Sequence, residues 1–221
     1  MLPSQTVENY LKTIYLAQSA RDTDLVPMGQ LASALGVVPG TATTMMKALS
    51  ESGLVRYEPY MGVRLTRSGE KLASMVLRRH RLIELFLVKV LEMSWAEVHD
   101  EAEQLEHAVS ERLIDRIDEM LGRPSVDPHG DPIPTPEGRV ARTNDVDLLR
   151  APLASALQVS RVLDQDRDFL RFVEQCDLVP GRGVTIDARD PAADAVELTS
   201  DTGRKMTIGA RAAAKVLVRI V

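Results

Sequence analysis

Proline and glycine residues divide one N-terminal stretch of this chain into two helices joined by a tight turn. Pro27 favours the start of a short helix, and Gly36 ends it. Pro39 starts a second helix, whose body is Thr41–Ser52 and whose end is marked by Gly53. This order restricts the region to a helix-turn-helix arrangement.

The residues on either side of this pair of helices extend the pattern. An amphipathic helix capped by Ser4 opens the chain, and a polar loop at residues 19–25 follows it. Two short strands are predicted at residues 54–57 and 63–66, around the turn-forming run Pro59–Gly62. A hairpin directly after a helix-turn-helix is typical of the wing of a winged-helix DNA-binding domain.

The second helix of the pair has a polar face that could contact DNA. Hydroxyl and ammonium groups on a helix in the major groove reach phosphates and base edges. Threonine and lysine also occupy ordinary solvent-facing surfaces, so the helix alone leaves the question open, and the adjoining wing favours DNA binding. The predicted DNA-contacting residues are Thr41, Thr43, Thr44, Lys47 and Arg64.

Two long helices and a β-rich region follow the wing. The helices are predicted at Ser68–Val90 and Trp95–Leu121, and an apolar stripe on the second offers a dimerisation surface. Prolines and glycines cluster between residues 122 and 152, as expected for a boundary or linker. Five short β-rich runs then predict a small β-barrel. They are residues 157–162, 184–186, 196–198, 205–208 and 215–221, around a helical patch at 169–173.

Composition limits the cellular setting and the charge distribution. The single cysteine, Cys176, excludes an intramolecular disulfide, and we find neither a signal peptide nor a membrane-spanning stretch, so we expect a cytoplasmic protein. The net charge of −5 disfavours DNA binding if it is spread evenly. However, residues 1–72 have 7 basic and 6 acidic side chains, whereas residues 73–123 have 7 and 11. The acidic middle segment could therefore bind cations.

Potential metal ligands cluster on the two long helices. Helical geometry confines four of them to an arc of roughly 100°: His99, Glu103, Glu106 and His107. On the preceding helix, His80 and Glu84 repeat the i, i+4 spacing. A lone histidine or glutamate on a helix is usually just solvated, but three of the chain's four histidines lie here beside glutamates. Imidazole and carboxylate donors in this pattern predict a site for a divalent first-row metal.

Two other classes of protein remain open at this point. A metal-dependent hydrolase would use similar ligands, but it also needs an open coordination position in a cleft and a positioned base. We find neither a nucleophile motif nor a second set of convergent polar groups. A metal-independent winged-helix regulator that senses a small molecule would leave the clustered histidines and glutamates unexplained. We therefore favour a DNA-binding regulator over an enzyme.

Five segments carry a likeness to a known family. They are Glu8–Tyr15, Leu65–Gly69, His80–Glu84, His99–His107 and the proline-rich Asp127–Pro134. In order and content they resemble the diphtheria-toxin-repressor family of iron- and manganese-dependent regulators, over essentially the whole chain. The resemblance implies a mainly α-helical homodimer that binds palindromic operator DNA and carries a C-terminal SH3-like domain. The implied domains are a winged helix-turn-helix at 1–72, a metal-binding and dimerisation domain at 73–140, a linker at 141–152 and the SH3-like domain at 153–221.

The resemblance also implies two metal sites per subunit. The first uses His80, Glu84 and His99 with a ligand from the C-terminal domain, which we align to Asp166, or to Asp168 if the register shifts by two. The family's second ligand from that domain aligns with Phe169, which cannot bind metal. The second site uses the residues Glu103, Glu106, His107 and Asn9. Asn9 is a departure, because family members have methionine or aspartate there.

The ligand at position 103 bears on the choice of metal. Iron-responsive members resembling this chain tend to have cysteine there, and manganese-responsive ones have glutamate, as Glu103 is here. Oxygen donors suit Mn(II), so we expect an Mn(II)-activated repressor of metal-uptake genes, with Fe(II) as the alternative. Lys12 replaces an acidic ligand of the shorter manganese regulators, which disfavours their compact two-metal cluster.

The mechanism that we expect depends on the charge of the second site. Without metal, the close carboxylates of this site repel one another and the first helix is free to move.

Overall fold

The structure, a computed structural model, describes residues 4–19, 25–141 and 143–221. Most of the predicted polar loop at 19–25 lies outside the described residues. The chain forms two compact units. One comprises residues 1–80, 106–109 and 134–140, and the other comprises residues 81–105, 110–133 and 141–221.

The first unit contains the predicted helix-turn-helix and wing. Its elements are α1 (Gln5–Ser19), α2 (Met28–Ala34), α3 (Pro39–Glu51), β1 (Val55–Glu58), β2 (Gly62–Leu65) and the first part of α4 (Arg67–Lys89). Ser4 Oγ accepts a hydrogen bond of 3.4 Å from the amide of Val7, as the capping prediction requires. The prediction of a helix-turn-helix followed by a hairpin is confirmed.

The hairpin and α3, the second helix of the helix-turn-helix, share one apolar core. β1 and β2 pair antiparallel from Val55 opposite Leu65 to Glu58 opposite Gly62. The core brings the inner faces of α1, α2 and α3 together with the hairpin. Ala42, Met46 and Leu49 of α3 are buried in it, which leaves the polar side of that helix facing outwards.

The second predicted long helix, Trp95–Leu121, is wrong as a single element. The structure has two helices instead, α5 (Val98–Leu105) and α6 (Glu111–Met120). Ser110 separates them because its hydroxyl accepts a hydrogen bond of 3.3 Å from the amide of Leu113 and starts a new helix. Glu106 and His107 therefore lie in the turn between the helices, and not on a continuous helical face.

The C-terminal region is an open sheet, so the prediction of a closed β-barrel is wrong. Its strands are β3 (Val146–Asp147), β4 (Leu157–Val162), β5 (Gly183–Asp190), β6 (Ala195–Ser200), β7 (Lys205–Gly209) and β8 (Val216–Ile220). They pair in the order β3-β8-β4-β5-β6-β7. Closure would need the two edge strands to pair, but β3 has only two residues, and both pair with β8.

Two helices complete this region, α7 (Arg167–Gln175) and the short α8 (Ala210–Ala213). The apolar faces of the sheet strands pack with Leu170 and Val173 of α7 and with Trp95, which precedes α5. None of the helices within the described ranges is both long and apolar enough to cross a bilayer.

Candidate metal centre and DNA-contacting surface

A buried carboxylate connects three elements of the first unit. Glu106, after α5, is fully buried, and its Oε1 accepts a hydrogen bond of 2.7 Å from Nζ of Lys12 on α1. Its Oε2 lies 2.6 Å from Nδ1 of His80 on α4. Burial raises the pKa of the Glu106 carboxyl, but His80 and Lys12 outweigh burial and lower it overall. Glu106 is therefore held as the anion.

A second buried carboxylate lies on α1 itself. Oε1 of Glu8 accepts a hydrogen bond of 2.7 Å from Arg79, and its Oε2 lies 2.5 Å from Nδ1 of His107. Nε2 of His107 is 3.3 Å from Oε1 of Glu106 but makes no hydrogen bond. The imidazole of His107 thus lies between the two carboxylates.

These contacts correct one expectation from the sequence. We expected the ligand carboxylates to repel one another without metal, but Lys12 places a buried cation against Glu106, and Arg79 does the same for Glu8, which the sequence had not singled out. His80 also contacts Glu106, although the sequence assigned those two residues to different metal sites. In this structure α1 is tied to its neighbours by ion pairs.

Asn9, the least conventional ligand of the predicted second site, has a suitable environment. Its side-chain oxygen Oδ1 is buried and has no hydrogen-bond partner in the described part of the chain. A buried amide oxygen without a partner is costly. This oxygen is available as a metal donor.

The second unit brings together the other predicted ligands. Oε1 of Glu84, a fully buried residue on α4, is 3.2 Å from Nδ1 of His99 on α5. Nε2 of His99 is 3.7 Å from Oε1 of Glu103, one helical turn further along. Imidazole and carboxylate donors therefore converge here, although the sequence assigned Glu103 to a different metal site from Glu84 and His99.

Asp166 lies near His99. Its Oδ1 caps α7 by accepting hydrogen bonds of 3.1 Å from the amides of Asp168 and Phe169. Asp166 and His99 line the same cavity of about 230 Å³, and Asp168 is not among the described residues that line it. The structure thus favours Asp166 over Asp168 as the domain's candidate ligand.

Sequence reasoning did not single out three residues that contact these groups. Glu8 is next to Asn9 but was not considered a partner of His107. His129 and Asp127 lie in the proline-rich segment; Nδ1 of His129 is 3.8 Å from Oε2 of Glu84. The sequence did contain a clue to the contact of His129, because His129 is the one histidine of the chain that the predicted metal sites do not use.

Burial and charge shift the pKa values of this last pair. Burial, together with the carboxylates of Asp131 and Glu84, raises the pKa of Asp127 to about 8. Burial alone would lower the pKa of His129, but the carboxylates of Glu84 and Asp127 outweigh it and raise the value. The charges of Asp127, His129 and Glu84 therefore influence one another.

The donor set fits a divalent first-row metal. Carboxylate and imidazole groups meet at Glu106 and at Glu84, both of which are fully buried. Nε2 of His107 faces a carboxylate oxygen without hydrogen bonding to it. Nitrogen and oxygen donors in such sites suit manganese, iron and zinc.

The predicted DNA-contacting residues lie on the outer side of α3 and on the wing. Thr41, Thr44 and Lys47 are exposed and Thr43 is half-buried. The hydroxyls of Thr43 and Thr44 donate hydrogen bonds of 2.8 and 3.0 Å to backbone carbonyls one turn earlier. Arg64 on β2 forms a 3.6 Å ion pair with Glu58 on β1. DNA contact by these five residues stays a prediction.

Comparison with family models accounts for most of the chain. The model of the iron dependent repressor N-terminal DNA binding domain matches residues 3–63. The metal binding and dimerisation domain of the same repressors matches residues 66–135, and a FeoA domain matches residues 146–220. The iron-dependent repressor IdeR of Mycobacterium tuberculosis is 31% identical over 194 residues, covering 82% of this chain and 84% of IdeR. The chain belongs to the diphtheria-toxin-repressor family.

Further comparisons include manganese regulators. The regulator MntR of Lysinibacillus sphaericus is 32% identical over 120 residues, which are 54% of this chain and 84% of MntR. A manganese-dependent transcriptional repressor in complex with manganese is 39% identical, with a TM-score of 0.90 over 97% of this chain and 100% of its own. ScaR with bound zinc is 30% identical, with a TM-score of 0.80 over 99% and 100%.

Membership of this family fixes the general function. Members of the diphtheria-toxin-repressor family are metal-dependent DNA-binding transcriptional repressors and not enzymes. The chain has the family's DNA-binding domain and its metal-binding and dimerisation domain.

Proposed function

We propose that this protein is an Mn(II)-activated repressor that acts in the cytoplasm as a homodimer on palindromic operators of metal-uptake genes. Two sites per subunit would bind the metal. His80, Glu84, His99 and Asp166 would form the first. Asn9, Glu103, Glu106 and His107 would form the second.

The proposal depends on one observation: α1, the first helix of the DNA-binding domain, contacts a predicted metal ligand and carries another. Asn9 presents a buried oxygen without a hydrogen-bond partner in the described structure, and Lys12 of the same helix contacts Glu106. When bound, the metal supplies positive charge that carboxylate, amide and imidazole donors share. Asn9 then fixes the start of the DNA-binding domain, and with it the position of α3, which sets how the two recognition helices of a dimer match the operator.

Glu103 supports manganese over iron, because its carboxylate is a hard oxygen donor at a position where a thiolate would favour other metals. The similarity to a manganese-dependent repressor over 97% of the chain agrees with this choice. An Fe(II)-dependent repressor is the second candidate. The specific observation in its favour is the 31% identity to the iron-dependent repressor IdeR.

An anaerobic DNA-binding experiment distinguishes the Mn(II)-activated repressor from the Fe(II)-dependent one. Operator sequences are first selected from a library of random DNA duplexes with the Mn(II)-loaded protein, and fluorescence anisotropy then follows binding during titration with Mn(II) or Fe(II). We expect Mn(II) to activate DNA binding and chelator to abolish it. Binding that is equal with chelator would contradict metal activation, and activation by Fe(II) at lower concentrations would favour the second candidate.

The substitution Glu103→Cys sharpens this test. We expect it to raise the Mn(II) concentration needed for DNA binding about tenfold relative to that of Fe(II), because a thiolate is a softer donor. Glu101→Cys, at an exposed position on the same helix, is the matched control and should leave the ratio unchanged. An unchanged ratio in Glu103→Cys would remove position 103 from the metal site.

A further inference from the structure

We propose that Glu8 is a positioning residue of the second metal site: its carboxylate holds the ring proton of His107 on Nδ1 and so leaves Nε2 free to bind the metal. The inference rests on the second site of the proposed function and adds a residue that is not one of its ligands. Glu8 does not bind the metal itself, because both of its carboxylate oxygens already face buried partners.

The carboxylate of Glu8 connects three separate elements. Arg79 donates a hydrogen bond of 2.7 Å to Oε1, and Nδ1 of His107 lies 2.5 Å from Oε2. The three side chains are at most 8% exposed, so water does not replace these contacts. Glu8 lies on α1, Arg79 lies on α4 and His107 follows α5. The contacts therefore orient the imidazole ring relative to both α1 and α4.

The chemistry of Arg79 and Glu8 determines which ring nitrogen of His107 carries the proton. A guanidinium group has only donors, and a carboxylate has only acceptors. Oε1 of Glu8 accepts from Arg79, so Oε2 remains as the acceptor for Nδ1 of His107. A neutral imidazole carries one proton. With that proton on Nδ1, Nε2 keeps its lone pair.

Glu106 offers the competing position for this proton. Its Oε1 lies 3.3 Å from Nε2 of His107, close enough to accept a hydrogen bond from a protonated Nε2. A protonated Nε2 has no lone pair and cannot bind a metal. However, Glu106 already contacts Lys12 and His80, whereas the contact of Glu8 with the ring is shorter. Nε2 is buried and makes no hydrogen bond within the described residues, as the Nδ1 proton requires.

This arrangement is the usual one for a histidine that binds a metal. Such a histidine donates its other N–H to a carboxylate or a carbonyl, which fixes the ring and raises the basicity of the binding nitrogen. Glu8 is next to Asn9, whose buried Oδ1 has no hydrogen-bond partner in the described part of the chain. Two consecutive residues of α1 therefore serve the second site, one as a ligand and one through His107. Metal binding there depends on the position of α1.

The isosteric substitution Glu8→Gln tests the position of the proton. Arg79 can only donate, so the oxygen of the new amide turns to Arg79 and its NH2 group faces Nδ1 of His107. Nδ1 must then accept, and the ring proton moves to Nε2. The substitution thus changes the tautomer without changing the size of the side chain.

The tautomer is measured in the metal-free, full-length protein. Histidine is labelled with ¹⁵N, and the ring nitrogens are followed by NMR at mildly alkaline pH, where free imidazole is neutral. The signals of His107 are those that are missing in His107→Gln. We expect the proton on Nδ1 in the unsubstituted protein and on Nε2 in Glu8→Gln. A proton on Nε2 in the unsubstituted protein would overturn the proposal, and so would the same tautomer in both proteins.

The affinity of the second site for Mn(II) should change with the tautomer. The substitution His99→Gln is added to both proteins to remove the first site, and Mn(II) binding is measured by isothermal titration calorimetry. We expect Glu8→Gln to weaken binding at the remaining site about tenfold, the usual loss when a ligand histidine loses its carboxylate partner. Equal affinities would overturn the proposal, because Glu8 would then matter only as the ion-pair partner of Arg79.

Glu70→Gln is the matched control. It removes the same charge by the same substitution, but Glu70 is exposed on α4. It should keep the ring proton on Nδ1 of His107 and the Mn(II) affinity of the unsubstituted chain. A loss of affinity equal to that of Glu8→Gln would overturn the assignment, since the effect would then follow from net charge alone.

The unsubstituted protein tests the proposal even if Glu8→Gln does not fold, because its tautomer is read directly. Addition of Zn(II), which is diamagnetic, then separates this proposal from the proposed function. A proton on Nδ1 with an Nε2 signal that does not move at saturating Zn(II) would contradict the second metal site, and Glu8 would have no ligand to position. A metal-free ring protonated on Nε2, with an Nε2 signal that moves on Zn(II) binding, would support the metal site and overturn the role of Glu8 alone.

Discussion

Lys12 brings a positive charge into the predicted metal centre. Its ammonium group contacts Glu106 at 2.7 Å, and both side chains are buried. Lys12→Met should lower the free energy of unfolding of the metal-free protein by about 3 kcal/mol, because removing one partner leaves a buried charge uncompensated. Mn(II) should recover more stability in this variant than in the unsubstituted chain, since the Glu106 carboxylate no longer has an ammonium partner. Urea denaturation with chelator and with Mn(II) measures both quantities.

Lys71→Met provides the comparison, because Lys71 is exposed on α4. It should change neither the stability nor the gain from Mn(II) by more than about 0.5 kcal/mol. If Mn(II) stabilises both variants equally, Glu106 is not a metal ligand.

At the same scale, the sequence predicted the ligand types but not their partners. Helical spacing brought out His80, Glu84 and His99 because one helix face is a local property. Glu8 contacts His107, which lies 99 positions further along the chain. The periodicity of a single helix cannot predict a contact between residues so far apart in sequence. His129 was missed for the same reason, because its ring contacts the carbonyl of Trp95 and the carboxylate of Glu84, which lie elsewhere in the sequence.

At the level of elements, the break between α5 and α6 determines where two ligands lie. Ser110 caps α6 through its hydroxyl, and Glu106 and His107 occupy the preceding turn. Ser110→Ala should lower the free energy of unfolding by about 1 kcal/mol, the usual effect of losing an N-cap. Thermal denaturation followed by circular dichroism tests this value.

Ser52→Ala is a suitable control, because Ser52 follows α3 and its hydroxyl donates a hydrogen bond of 2.9 Å to the carbonyl of Ala48 instead of accepting one from an amide at a helix start. Its stability should stay within about 0.5 kcal/mol of the unsubstituted protein. A Ser110→Ala variant as stable as this control would show that the cap does not define the start of α6.

The break between α5 and α6 could not be predicted from the sequence, because the helical spacing of apolar residues continues through it. Val98, Ala102 and Ile117 are buried as predicted, whereas Leu105 and Leu113 are 38% and 50% exposed. A periodic stripe predicts which residues share a helical face, but a serine that caps a new helix can interrupt it without changing the spacing. The helix-turn-helix was easier to predict because glycine and proline mark its boundaries.

For the whole molecule, the exposed apolar residues of α6 provide a test of dimerisation. Leu113 and Met120 are 50% and 65% exposed in the single chain, and the family's dimerisation domain matches this region. Leu113→Lys should weaken dimer formation roughly a hundredfold, because burying leucine contributes about 1.5 kcal/mol or more per copy. Sedimentation equilibrium over a range of concentrations measures the change.

Leu163→Lys is the matched control, since Leu163 is 47% exposed but lies beyond β4 in the sheet region. We expect its dimer to dissociate at the same concentration as the unsubstituted protein. If both variants dissociate equally, the dimer contact does not involve this face of α6.

The C-terminal sheet shows the limit of sequence reasoning for the molecule as a whole. Five of its six strands were predicted from short β-rich runs, because alternation is local. Closure into a barrel was not predictable, since it depends on which strands become neighbours. β8, the last strand in sequence, pairs between β3 and β4 and leaves β7 at an edge.

The threonine hydroxyls of α3 have a consequence for what this helix can distinguish on DNA. Because Thr43 and Thr44 already donate their hydrogens within the helix, each presents only lone pairs to a ligand. Phosphate oxygens offer no hydrogen in return. The exocyclic amino groups of adenine and cytosine in the major groove do, so these two side chains are better matched to reading bases than to anchoring the backbone.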